Sequence, residues 1–157
     1  MRIDDRLIHG QVSIGWAGKL KPDTIVVLDD ELAGDQWENE LLCSACPDLV
    51  KAKVYGVEAG VRALQSGAHG GEKILILLRS VGNAARLVDL GFPVPEMNVG
   101  GLHHHAGSRE ILPYVYLDDG EISTFRSLAA RGVKLVAQDL PGNKCFDLVQ
   151  VLNRGKG

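Results

Sequence analysis

The sequence predicts an α/β fold: a single domain built on a mostly parallel central sheet with helices on both faces. Apolar runs of strand length alternate with helical patterns of about ten residues, the alternation that favours right-handed βαβ crossovers. Thr24-Ile25-Val26-Val27-Leu28 shows no polar alternation, as expected of a strand buried on both sides of a parallel sheet. A chain of 157 residues with 45% hydrophobic content makes one domain with a proper core, and neither an internal repeat nor a long linker divides it.

In chain order, Ile3 and Leu7-Ile8 give a short apolar edge that carries Asp4, Asp5 and Arg6 and stops at His9-Gly10. Burying those charges without partners would cost several kcal/mol, about 2–7 for a neutral polar group alone, so they are expected to pair or to surround a ligand. Over Gln11–Leu20, Val12, Trp16 and Leu20 fall on one helical face, and Pro22 ends the pattern. The strand Thr24–Leu28 then delivers Asp29-Asp30. Glu31–Cys46 reads as one helix, with Leu32, Trp37, Leu41 and Leu42 as its buried residues and Pro47 as its stop.

Lys51–Val57 alternates charged and apolar positions, which places it near an edge. Val57–Gln65 is helical, with Gly67 beyond it, and residues 66–71 form a loop. Lys73–Leu78 is the clearest central strand and presents Arg79-Ser80. Ala84–Gly91 is a short helix, and Glu96–Gly101 a brief strand running into a glycine turn. Ile111–Leu117 contains Pro113, which has no ladder donor, so it reads as an edge strand. Asp118-Asp119 caps a helix over Gly120–Arg131. Val133–Leu140 is the last strand, and Asn143–Asn153 the last helix.

Ligands of open parallel sheets bind beyond the carboxyl ends of the strands. The residues expected there are His9, Asp29-Asp30, Arg79-Ser80 and Asn98–Gly101. Arg6 stands three residues before His9 with a guanidinium fork suited to phosphate. Gly10, with Gln11 and Val12 after it, offers backbone amides at the start of a helix, and glycine there lets the chain bend and a second body approach. Asp4 or Asp5 is positioned to hold Arg6 or the imidazole, and in an extended segment only one of the two faces the site.

Other readings carry less. Gly-x-Gly-x-x-Gly and the phosphate-binding loop ending in Gly-Lys-Ser/Thr are both absent, which argues against a nucleotide site. A net charge of −3 without a basic stripe excludes a typical nucleic-acid surface. The apolar runs fall far short of the ~20 residues of a membrane helix, and no cleavable leader is read before Arg2, so a cytoplasmic location is expected. Three cysteines make no disulfide framework, and Cys43-x-x-Cys46 lies at a helix end, away from the strand-to-helix turn of a redox motif. The successive His103, His104 and His105, with His69 elsewhere, have no carboxylate or cysteine spaced to complete a metal site, so no metal and no cofactor are expected.

Arg2-Ile3-Asp4-Asp5-Arg6-Leu7-Ile8-His9-Gly10-Gln11-Val12, followed by Trp16, resembles the active-site segment of the IIB component of the mannose/fructose/sorbose-type sugar phosphotransferase systems. Asp29-Asp30, Leu78-Arg79-Ser80, Asn98-Val99-Gly100-Gly101-Leu102-His103 and Leu140-Pro141 extend the likeness, so residues 1–157 are expected to form one such domain. Relatives carry several apolar residues before Arg-Ile-Asp where this chain has only Met1, so either the first strand is short or the start of the chain is assigned late.

The resemblance implies that His9 carries a phosphoryl group on its ring Nδ1, with Arg6 as a clamp and Arg6, Gly10 and Gln11 binding the phosphate. Asp4, Asp5, Asp30, Arg79 and Ser80 are supporting candidates, and Gly100–His103 is expected beside the site or the partner surface. A IIA protein would be the donor, and a sugar held by the membrane IIC and IID components the acceptor. A homo-oligomer stays open. So does a second class of function, a phosphorylation-dependent regulatory module that moves no sugar.

Overall fold

Alternation inside the apolar strands decides where each helix packs. In β2 (Thr24–Leu28) successive side chains point to opposite faces, so Val26 and Leu28 enter one core and Ile25 and Val27 the other. The structure, a computed structural model, describes residues 1–154. Its other strands are β1 (Arg2–Ile3), β3 (Lys51–Tyr55), β4 (Ile74–Leu78), β5 (Glu96–Val99), β6 (Arg109–Leu112), β7 (Val115–Leu117), β8 (Lys134–Ala137) and β9 (Phe146–Asp147). A π-helical turn, Gln11–Trp16, runs directly into α1 (Ala17–Leu20). The remaining helices are α2 (Asp30–Gly34), α3 (Gln36–Ser44), α4 (Val57–Gln65), α5 (Val81–Asp89), α6 (Asp119–Ala130) and α7 (Leu148–Arg154).

The main sheet has the order β3-β2-β4-β1-β5-β8-β9. Every pair is parallel except β8 with β9. Helices α4 to α7 cover one face through Val61, Leu87, Phe125 and Leu152. The helix over 11–20 and α2 cover the other through Val12, Ala17 and Leu32. The expected fold class is therefore the observed one. β1 spans two residues and lies at the centre, pairing Arg2 with Leu77 on one side and Asn98 on the other. The residues that follow β1 thus leave from the middle of the carboxyl edge.

Several expectations are corrected. The helix expected over Glu31–Cys46 is two, because Asp35 is extended and its side chain accepts the Glu38 amide to start α3. Leu32 is buried as expected, but Trp37 and Leu41 are exposed. The segment expected as an edge strand, Ile111–Leu117, lies in a separate antiparallel hairpin of β6 and β7 that turns at Pro113-Tyr114. The helix expected over Asn143–Asn153 begins only at Leu148, because Phe146-Asp147 pairs with β8 as β9. The face shared by Val12, Trp16 and Leu20 survives the π-helical start of its helix: Val12 and Trp16 are buried and Leu20 packs against the same core.

Candidate functional site

The charges after β1 pair with one another, as their burial requires. Arg2 is only 1% exposed and Asp4 is fully buried. Arg2 Nη2 lies 2.9 Å from Asp4 Oδ2 and donates to the Asp139 carbonyl at 3.0 Å. Its Nη1 donates to the Gln138 carbonyl at 2.8 Å and to Asn98 Oδ1. The guanidinium stacks over Trp16 at 4.9 Å, and the Trp16 indole N–H donates to the same Asp139 carbonyl at 2.7 Å. A side chain on Gly100 would overlap that guanidinium, its Cβ falling 2.0 Å from Arg2 Nη2, so the position needs glycine.

Asp4 gathers the rest. Its Oδ2 also accepts the Gly101 amide at 3.2 Å, and its Oδ1 meets His9 Nε2 at 3.0 Å. Arg6 approaches Oδ1 too, through its amide at 3.3 Å and its Nε at 3.6 Å. The left-handed backbone of Leu7, φ 56°, turns the chain so that residues 6 and 9 both reach this carboxylate. Burial, the largest influence on Asp4, pushes its pKa up, but Arg2, His9 and the Gly101 amide together outweigh it and hold the carboxyl below its ordinary value. An ionised carboxylate only accepts, so His9 Nε2 carries a hydrogen, and in the neutral ring the lone pair is then on Nδ1. The His9 side chain is 17% exposed, and Nδ1 has no hydrogen-bond partner among the described residues.

Arg6 is 40% exposed and donates to Gln11 Oε1 at 2.9 Å, so clamp and helix start are linked. Gly10 gives no side-chain cap, and nothing surrounds its missing Cβ. That open space suits the expected close approach. The bend, however, does not depend on glycine, because Gly10 is right-handed at φ −50°. Of the two acids, Asp4 faces His9 and Asp5 turns to His103, accepting from its amide at 2.6 Å and lying 2.7 Å from its Nδ1. Gly101 and His103 thus stand beside the site, on the loop that Leu102 ties to the hairpin.

The other candidates have partners of their own. Asp29, not Asp30, caps α2. Asp30 instead accepts the first amide of α4 at 2.9 Å and pairs with Arg86. Ser80 caps α5 through the Asn83 amide. Arg79 sits 3.8 Å from Asp29 and shares a cleft with Ile8, one residue from His9. His105 does meet carboxylates, with Asp118 and Glu121 within 4.8 Å, which corrects the expectation that none is near. Both carboxylates are engaged in the capping box of α6.

Arg2, Gln138 and Asp139 join this network without an assigned role, and Asn98 was expected only as part of the strand end Asn98–Gly101. Arg2 stood out only as the first residue of the family-like segment, and nothing in the sequence marks two backbone carbonyls as its acceptors.

The description "PTS system sorbose subfamily IIB component" fits residues 1–156. The chain belongs to this family. This IIB component is 33% identical to the fructose-specific EIIB component of Bacillus subtilis, over 96% of the chain and 93% of the relative. It is also 33% identical to the mannose-specific EIIAB component of Escherichia coli over 98% of the chain, spanning about half of that longer relative, 48%. The crystal structure of the IIB domain of the sorbose permease from Klebsiella pneumoniae superposes with a TM-score of 0.92 at 28% identity, covering 98% of this chain and 94% of that one. As a IIB component, the protein is a phosphotransferase of a sugar phosphotransferase system. No described helix is long and apolar enough to cross a membrane.

Proposed function

We propose that His9 accepts a phosphoryl group from a IIA protein and passes it to a sugar presented by membrane IIC and IID components. The observation that carries this reading is the Asp4–His9 contact of 3.0 Å, which fixes the hydrogen on Nε2 and leaves Nδ1 as the nucleophile. In the first step the Nδ1–P bond forms as the donor's bond to phosphorus breaks. In the second, a sugar hydroxyl oxygen takes the phosphorus, the Nδ1–P bond breaks, and water takes the hydroxyl proton. Arg6 and the first amides after His9 neutralise the phosphoryl oxygens in both steps. Asp4 keeps the ring oriented throughout, and Arg2 keeps Asp4 ionised.

Incubation with phosphoenolpyruvate, the phosphocarrier protein and a IIA protein is expected to put acid-labile phosphate on the chain. Arg6→Ala slows labelling and Arg6→Lys restores it only in part, because lysine keeps the charge and loses the fork. Equal rates for the three proteins would remove Arg6 from the site. Offering the labelled chain a panel of hexoses and amino sugars, in membranes with IIC and IID, identifies the acceptor.

A further inference from the structure

Helix α3 has no buried residue, although it carries Trp37, Leu41 and Leu42. Trp37 is 73% exposed and Leu41 59%, and a spacing of four puts them on one face of the helix. That face runs into a cleft of about 470 Å³ lined by Ile8, Leu32, Leu41, Leu42, Glu38 and Arg79. Ile8, in the wall of the cleft, is the residue before His9. Contiguous exposed apolar surface of this kind marks an interaction site.

Its charge is one-sided. Between residues 22 and 50 the chain has eight acids and no lysine or arginine. Arg79, the arginine in the cleft wall, is itself offset by Asp29 at 3.8 Å and Glu31 at 3.7 Å. An acid-flanked apolar face repels an anionic, phosphoryl-loaded donor and attracts apolar side chains set among lysines and arginines. Cytoplasmic loops of membrane proteins carry that excess of positive charge.

Resting on the relay reading above, we propose that the α3 face docks a basic, apolar-centred cytoplasmic segment of the membrane acceptor. Phosphorylation of His9 adds close to two negative charges one residue along the chain from Ile8 in the cleft wall, so the segment binds the loaded protein more tightly and releases it once the phosphoryl group has left.

The test uses the full chain and inverted membrane vesicles that either contain or lack IIC and IID. The bound fraction is read by sedimentation for the parent, Glu38→Lys and the double variant Trp37→Ser/Leu41→Ser. These side chains are exposed, and circular dichroism checks that the variants remain folded. The parent is expected to bind only vesicles with the membrane chains, more tightly after labelling and less tightly as salt rises. Affinity falls about tenfold in the double variant and less in Glu38→Lys, while both accept label from IIA at the parent rate.

Equal vesicle binding by all three proteins overturns the proposal. So does a defect confined to labelling, which gives the face to the donor, or loss of a self-association seen in the parent, which gives it to a second copy. A parent chain that takes no label removes the relay reading alone, because vesicle binding is measured without it.

Discussion

Four histidines of this chain rest on a carboxylate, and the two least exposed of them, His9 and His69, make the sharpest contrast. His9 Nε2 lies 3.0 Å from Asp4 at the carboxyl end of the sheet, and His69 Nδ1 lies 2.9 Å from Glu72 at the amino end. The His69 side chain is 5% exposed, and its second nitrogen faces the Tyr55 hydroxyl at 3.5 Å. His9 keeps Nδ1 unpartnered among the described residues. The carboxylates differ as well. Asp4 is fully buried and backed by Arg2, whereas Glu72 is partly exposed and shared with Lys51 and Thr24. Pairing with an acid therefore does not separate the two rings; the unpartnered Nδ1 of His9 does.

The largest break in this comparison comes from the rings themselves. His9→Ala is expected to lower labelling by at least about a hundredfold, while His69→Gln keeps the parent rate and loses about 1–2 kcal/mol in urea unfolding. A His69 variant that loses label with its fold intact would undo the distinction.

Removing the acids comes next. Asp4→Asn unpairs the buried Arg2, at about 3–5 kcal/mol, and loosens the ring, slowing labelling about 10- to 100-fold. Asp5→Asn touches only His103 and leaves the rate alone.

Acid titration sharpens the contrast further. Hydrogen bonds from His69, then Lys51 and Thr24, hold Glu72 at about 2, down from an ordinary 4.5. The unfolded chain therefore binds the proton first, and the stabilisation by Glu72, complete above 4.5, is lost as pH falls towards 2. Melting temperatures across that range should drop in the parent and flatten in Glu72→Gln, with labelling at neutral pH unchanged.

The smallest effects belong to Ser80→Ala and Asp30→Ala. Each is expected to lose a helix-start contact worth about 1 kcal/mol and to label at the parent rate. Slower labelling in a stable variant would return that residue to the site.

Much of this was legible in the residues. The β-branched run of β2 and the central strand β4 declare themselves, because burial on both faces leaves no polar positions. The segment from Arg2 to Val12 announced a site through charges no core strand tolerates alone. What stayed hidden depends on contacts distant in sequence. Trp37 and Leu41 follow helical spacing and so read as core, but periodicity does not show whether a second layer lies over the helix. The hairpin at Pro113 and the strand at Phe146 were misread because short irregular elements take their state from a partner strand. The carbonyls that hold Arg2 carry no side-chain signature at all.

The two-residue β1 ties His9 to the order in which the chain comes together. Arg2 is bound to Asn98 across 96 positions and to the Gln138 carbonyl across 136. Closing loops of that length is entropically slow, so such contacts form late. A collapsed chain in which β8 has not docked lacks two acceptors of Arg2 and with them the brace behind Asp4 and the imidazole. Appearance of label-accepting protein during refolding therefore clocks the last long-range closure rather than the first compaction, and a partly folded molecule is silent in the relay.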